Sequence, residues 1–371
     1  RVGLQAKRVD LKDRTPAHLV YLVDTSGSMQ SPDKLELVKT SLRYLTDSLK
    51  PGDTVAICTY AGNVREVLAP TGVDKKAAIL KAIDDLSAGG STAMSSGIQL
   101  AYDLASRTMV KGHTSRVIVL SDGDANVGPM SHEEILKTIE GYKQKGIYLS
   151  TIGFGRGNYK DTMMEQLADK GDGNYSYVDD ARQAKKVFVE QVNGLIDVVA
   201  RDVKVQVELD PAMVKSYRLI GYENRDVADK DFRNDKVDGG EVGAGHSVTA
   251  LYDLVLQPGA KGSLATVRVR HKAPAVGPGS SEAREVAVKM EPSALFASLD
   301  DAPESLRFAA AVARFAEVLR KSPHAKRSEL PAVEALARAT KGTSEDRSEL
   351  VALVRRAAEL AGVAEGPPVA K

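Results

Sequence analysis

Asp24, Ser26 and Ser28 alternate through Asp24-Thr25-Ser26-Gly27-Ser28, so one short loop offers a carboxylate and two hydroxyls. These are hard oxygen donors, the set that Mg²⁺, Mn²⁺ and Ca²⁺ prefer. Ser and Asp at such positions also suit a helix N-cap, and the pattern alone leaves both readings open. Two distant segments bear on the choice. Gly89-Gly90-Ser91-Thr92-Ala93 combines a tightly turning backbone with the hydroxyl of Thr92. Arg116-Val117-Ile118-Val119-Leu120-Ser121-Asp122-Gly123 carries an apolar run that ends on a second carboxylate.

The elements that must bring these residues together follow from the hydrophobic pattern. His18–Val23 and Arg116–Ser121 read as strands buried on both faces. In an open parallel sheet the carboxyl ends of the strands converge on one crevice, which places Asp24 and Asp122 at the same edge. Helical spacing marks 34–49, 74–86, 95–107, 161–169 and 181–200, and Ser131 caps a helix running to about 145. Further strands are expected at 55–60, 147–153 and 174–178. The repeated βα units predict a doubly wound, mostly parallel α/β domain over 15–200.

After Arg201 the character changes. Val203–Leu209 alternates cleanly, and 215–222, 246–256, 263–271 and 284–290 are further strands of an antiparallel β-sandwich spanning 201–292. The N-terminal segment 1–14 holds a short strand with no place in the parallel sheet, and it is expected to join the β domain. Helices are expected within 303–362, followed by a tail over 363–371.

Asp-x-Ser-x-Ser, a distant Thr and a later Asp, in this order, resemble the metal-ion-dependent adhesion site of von Willebrand factor type A domains. Residues 201–362 resemble the region appended to bacterial envelope proteins of that superfamily, through Leu219–Asn224 and Gly243–Tyr252. The resemblance implies a Rossmann-like sheet and a metal held by Asp24, Ser26, Ser28, Thr92 and Asp122. It implies Mg²⁺, or Mn²⁺ or Ca²⁺, as the ion, and a partner protein that presents an acidic side chain to it. It also implies that the last helix of the domain, about 181–200, moves with ligation. The implied compartment is the bacterial cell envelope, with a lipid anchor upstream of Arg1; the alternative is the cytoplasm, as an adaptor of an AAA+ ATPase of the chelatase type.

Competing motifs are weaker. Asp122-x-Asp124-x-Asn126 with Glu133 imitates a calcium-binding EF-hand, but Val127 stands where its sharp turn needs Gly. Gly153, Gly155 and Gly157 lack the Lys-Ser/Thr ending of a phosphate loop and are expected to pass close to the metal edge. A metal-dependent hydrolase needs a base beside the ion. None of the six histidines lies in the motif loops, although His113 and His132 flank Asp122 in sequence. The single cysteine, Cys58, sits in a strand pattern and reads as a buried small hydrophobe, which rules out an internal disulfide. Lys+Arg of 51 against Asp+Glu of 50 leaves no basic excess for nucleic acid. The expected function is protein binding, not catalysis.

Overall fold

The computed structural model describes residues 1–90, 94–123, 130–156, 161–221, 227–237, 239–274, 282–291 and 295–363. After a short strand, β1 (Val2–Gln5), six strands make one sheet: β2 (Ala17–Asp24), β3 (Thr54–Tyr60), β4 (Arg65–Gly72), β5 (Thr114–Ser121), β6 (Ile147–Phe154) and β7 (Tyr175–Val178). Their spatial order is β4-β3-β2-β5-β6-β7. All neighbours run parallel except β3 and β4, which form an antiparallel pair. The chain builds outward to β3 and β4, then returns to the other side of β2. The switch therefore lies between β2 and β5, where the carboxyl ends of open α/β sheets form a crevice.

Helices α1 (Leu37–Asp47), α2 (Lys76–Asp84), α3 (Met94–Arg107), α4 (His132–Gln144), α5 (Asp161–Lys170), α6 (Ala181–Lys185) and α7 (Val192–Ile196) cover both faces. Strand alternation divides the core accordingly. Leu19, Tyr21 and Val23 pack with α1, α2, α6 and α7, whereas Val20 and Leu22 pack with α3, α4 and α5. Burial on both faces explains why β2 reads as an uninterrupted apolar run. The α4 start carries a full capping box, in which Ser131 and Glu134 satisfy each other's backbone N–H.

Strands β8 (Val198–Leu209), β9 (Val214–Ile220), β10 (Gly240–Gly243), β11 (Ser247–Leu256), β12 (Ala265–Lys272) and β13 (Ala283–Met290) form antiparallel sheets ordered β1-β11-β9 and β10-β8-β12-β13. β1 pairs with β11 from Val2 opposite Ala250 to Gln5 opposite Ser247. The α/β domain thus lies in sequence between two segments of the β region. Helices α8 (Glu304–Leu319), α9 (Leu330–Ala339) and α10 (Glu345–Leu360) share a separate core that includes Phe315, Leu330 and Val354. Ion pairs Arg182–Glu349 and Lys186–Asp346 tie α10 to the α/β domain, and Arg218–Glu317 ties α8 to β9.

Three local features differ from the sequence reading. β4 is an unforeseen edge strand, and it tolerates Pro70 because an edge strand leaves one side without ladder bonds. β10 falls where only a connection was expected. The helix expected over 181–200 is broken: α6 is followed by a π turn at Lys186–Glu190, α7 ends at Ile196, and β8 begins at Val198.

Candidate metal centre

Asp24 is the last residue of β2 and is completely buried. Its Oδ1 accepts the backbone N–H of Ser26 at 2.9 Å. Its Oδ2 accepts the hydroxyls of Ser121 at 2.8 Å and Tyr60 at 3.2 Å. Register explains both hydroxyl donors. Tyr60 is paired with Asp24 at the end of β3, and Ser121 ends the β5 strand on the other side. Burial pushes the Asp24 carboxyl above its ordinary range; hydrogen bonds from Ser26 and Ser121 pull it back, and the Asp122 charge adds to the upward push. Burial and the Asp24 charge also hold the Tyr60 phenol protonated, so it donates.

The loop beyond Asp24 turns immediately into the short helical turn Gly27–Gln30. Ser26 Oγ and Ser28 Oγ approach to 3.0 Å, Ser26 being buried and Ser28 exposed. Ser26 is the residue preceding that turn, yet its side chain makes no capping bond. The Ser26 hydroxyl instead meets Ser28 Oγ and the Asp24 carboxylate. The third segment is stitched to this loop by backbone bonds: Gly27 N–H to Gly90 O at 3.1 Å, and Gly89 N–H to Thr25 O at 2.7 Å. Gly90 has φ +96°, and a side chain there would press within 2.8 Å of Gly62 N, so the position requires glycine. Thr92 follows two residues later and lies outside the described residues, as do Ser91, Asp124, Asn126 and Gly157.

Asp122 is 3% exposed. Its Oδ2 receives the Lys34 ammonium at 2.8 Å, and the same Nζ donates to Ser28 O at 3.0 Å. Gly155, φ +92°, makes room for that lysine: a Cβ there would lie 2.8 Å from Lys34 Cγ and Cε. The glycine loop after β6 thus serves the edge by admitting the Lys34 stem.

These donors fit a hard divalent cation. Two carboxylates and two hydroxyls from the described residues, Asp24, Asp122, Ser26 and Ser28, make an all-oxygen set. The cluster already draws an ammonium to Asp122, and it holds Asp24 against the like charge of Asp122, a repulsion that a cation relieves. Among the described residues no group of three or more His, Cys, Asp or Glu side chains is gathered, so no imidazole–thiolate site competes. His113 pairs with His18 at 3.0 Å, near the start of β2, and His132 Nε2 lies 2.8 Å from Gln166 Oε1. Cys58 is buried in β3.

The sequence reading missed Lys34, Ser121 and Tyr60. Ser121 adjoins Asp122 and was within reach of the motif; Tyr60 becomes visible only once β3 is set beside β2.

A family model described as von Willebrand factor type A domain matches residues 18–190. Residues 18–190 form a von Willebrand factor type A domain. A second model, described as the C-terminal region of the uncharacterized protein YfbK, matches 194–263 and 256–360. YfbK of Escherichia coli (strain K12) is 35% identical over 96% of this chain and 64% of its own length. Protein sll0103 of Synechocystis is 27% identical over 61% of this chain and 54% of its own. The chain thus spans less than two thirds of either relative. Inter-alpha-trypsin inhibitor heavy chain H3 of Bos taurus is 27% identical over 48% of this chain. A solved type A structure from Catenulispora acidiphila shares the fold, with TM-score 0.53 at 16% identity, covering 92% of this chain and 82% of that one. Against that background the Asp24–Asp122 edge is the carboxyl edge of a type A domain, and β1, β8–β13 and the C-terminal helices are its appended region.

Proposed function

We propose that this chain binds a partner protein through a divalent cation, Mg²⁺ or alternatively Mn²⁺ or Ca²⁺, held by Asp24, Ser26, Ser28, Thr92 and Asp122. A Glu or Asp side chain of the partner supplies a further oxygen. The observation that carries this reading is the state of Asp24: fully buried, beside a second carboxylate, and bonded by one backbone N–H and two hydroxyls with no cation of its own among these contacts.

Charge explains why the partner group is acidic. Two carboxylates balance a divalent ion, and the Lys34 ammonium at Asp122 then leaves the loaded edge with a positive excess. An incoming carboxylate supplies both the charge and the hard oxygen that such an edge prefers. Lys34 therefore acts in two directions: it competes with the ion for Asp122 and favours the acid that follows.

The test uses Mn²⁺ with acetate as the carboxylate probe. Acetate entering the coordination shell displaces water, so the water-proton relaxivity of bound Mn²⁺ falls with saturable dependence on acetate. Relaxivity unmoved by acetate, with Mn²⁺ bound, refutes the carboxylate part of the reading.

A further inference from the structure

We propose that β13 is the contact strand of a symmetric dimer, in which two copies pair antiparallel about Ala287 and fuse their four-stranded sheets into one of eight. β13 is the outer strand of the order β10-β8-β12-β13. It pairs with β12 along its whole length, from Ala283 opposite Lys272 to Met290 opposite Ala265, without a register shift. Arg284 through Lys289 are all exposed. A long, regular edge without proline or a bulge is a template for another strand.

The face of this sheet is unusual. Val207, Val267 and Val288 stand in one row across three strands, and Val205, Val269 and Val286 in the next. Val286 and Val288 are 55% and 63% exposed. Apolar rows at an open edge are stabilised when a neighbouring strand continues them.

The edge is complementary to itself. In an antiparallel pair centred on Ala287, Val286 of one copy faces Val288 of the other, and both valine rows run on into the second sheet. Glu285 faces Lys289 on the opposite side of the sheet, twice by symmetry. Centring the pair on Val286 instead brings Arg284 against Val288 and makes no charge pair. Centring it on Val288 sets Glu285 against Glu291. Only even shifts of this kind keep the valines of both copies on one face, because strand side chains alternate with period two. The occupant favoured by this strand is therefore a second copy, through the isologous contact that dimers use most. Within its own chain Glu285 pairs with Arg233 and Arg268, which holds its carboxylate in place on that face.

Cysteine cross-linking of the full chain reads the register directly. Cys58 is buried, so an introduced thiol reacts alone. Ala287→Cys brings two sulfurs directly opposite each other, at Cα separations of about 4.5–5.5 Å, inside the range of about 4.4–6.8 Å that a disulfide spans, and oxidation yields a covalent dimer. Lys289→Cys is displaced from its counterpart by four residues, about 13 Å at strand rise, and stays monomeric on a non-reducing gel. Sedimentation velocity supplies a test that needs no new thiol. Lys289→Glu sets like charges opposite Glu285 and weakens the dimer by about ten-fold, and combining it with Glu285→Lys restores association. A chain that stays monomeric at its highest soluble concentration overturns the proposal. So does equal cross-linking at both positions, or a dimer indifferent to Lys289→Glu.

Discussion

The two ends of the parallel sheet each bury a carboxylate and treat it in opposite ways. At the amino ends of the strands, Asp53 is 1% exposed and is paired with the fully buried guanidinium of Arg14. It also accepts backbone N–H groups of Ala17 and Lys50, each at 2.8 Å. At the carboxyl ends, Asp24 is equally buried but takes only neutral donors, and the charge acting on it is that of another carboxylate, Asp122. At one end the buried acid is matched by a cation from its own chain. The other end gathers two buried acids, Asp24 and Asp122, against a single ammonium, that of Lys34 at Asp122, and an external ion is proposed to sit there. Burial of a carboxylate therefore does not by itself mark a site; what distinguishes the two ends is whether the chain's own cations match the buried acids in number.

The contrast is broken most forcefully at the closed end. Arg14→Met leaves Asp53 charged and buried, a change that costs about 3–5 kcal/mol. In EDTA, Asp24→Asn costs less than about 1 kcal/mol, since neutral donors are already its partners. Urea unfolding of both variants checks this, and equal losses would erase the difference between the ends. The second effect appears when the ion is supplied. Mn²⁺ at a hundred times its Kd stabilises the parent by about 2.7 kcal/mol and leaves Asp24→Asn unmoved in the same unfolding measurement.

A smaller effect sharpens the role of Lys34 at the open end. Lys34→Gln frees Asp122 from a competing ammonium and tightens Mn²⁺ by about five-fold, a change of about 1 kcal/mol for a partly exposed ion pair, while weakening acetate at the bound ion. Changes of the same sign in both would show that Lys34 acts only through loop structure.

The smallest effect belongs to the amino ends again. Burial, with the neighbouring His113, lowers the His18 imidazole below its ordinary range. The folded chain therefore favours the neutral ring. The stability this contributes is complete above the ordinary histidine range and is lost as pH falls through it towards the folded value. His18→Gln flattens the decline in melting temperature between about pH 7 and about pH 5; an unchanged slope assigns that decline to other groups.

Much of this architecture was legible in the sequence because its signals are local. β2 and β5 are apolar on both faces, and Ser131 with Glu134 writes its own helix start. β4 was missed because Arg65–Gly72 mixes charges, apolar residues and Pro70, as an edge strand with one covered face permits. The helix over 181–200 was read as continuous because its apolar spacing persists. The break at Lys186–Glu190 has no local signal, and beyond it α7 packs closely on the β region, where a Cβ on Gly194 would reach within 2.6 Å of His246. At the site, the spacing of Asp24, Ser26 and Ser28 was visible. Lys34 and Tyr60 were not, since one meets Asp122 across 88 positions and the other meets Asp24 across a strand pairing.

Calorimetric titration of Mn²⁺ into the metal-free chain, repeated with Asp122→Asn and Thr92→Ala, puts the central claim at risk most directly. One ion per chain, with binding abolished by Asp122→Asn and weakened at least ten-fold by Thr92→Ala, is the predicted result. No heat of binding at millimolar Mn²⁺, or affinity unchanged in both variants, would contradict a cation bound at the carboxyl ends of β2 and β5.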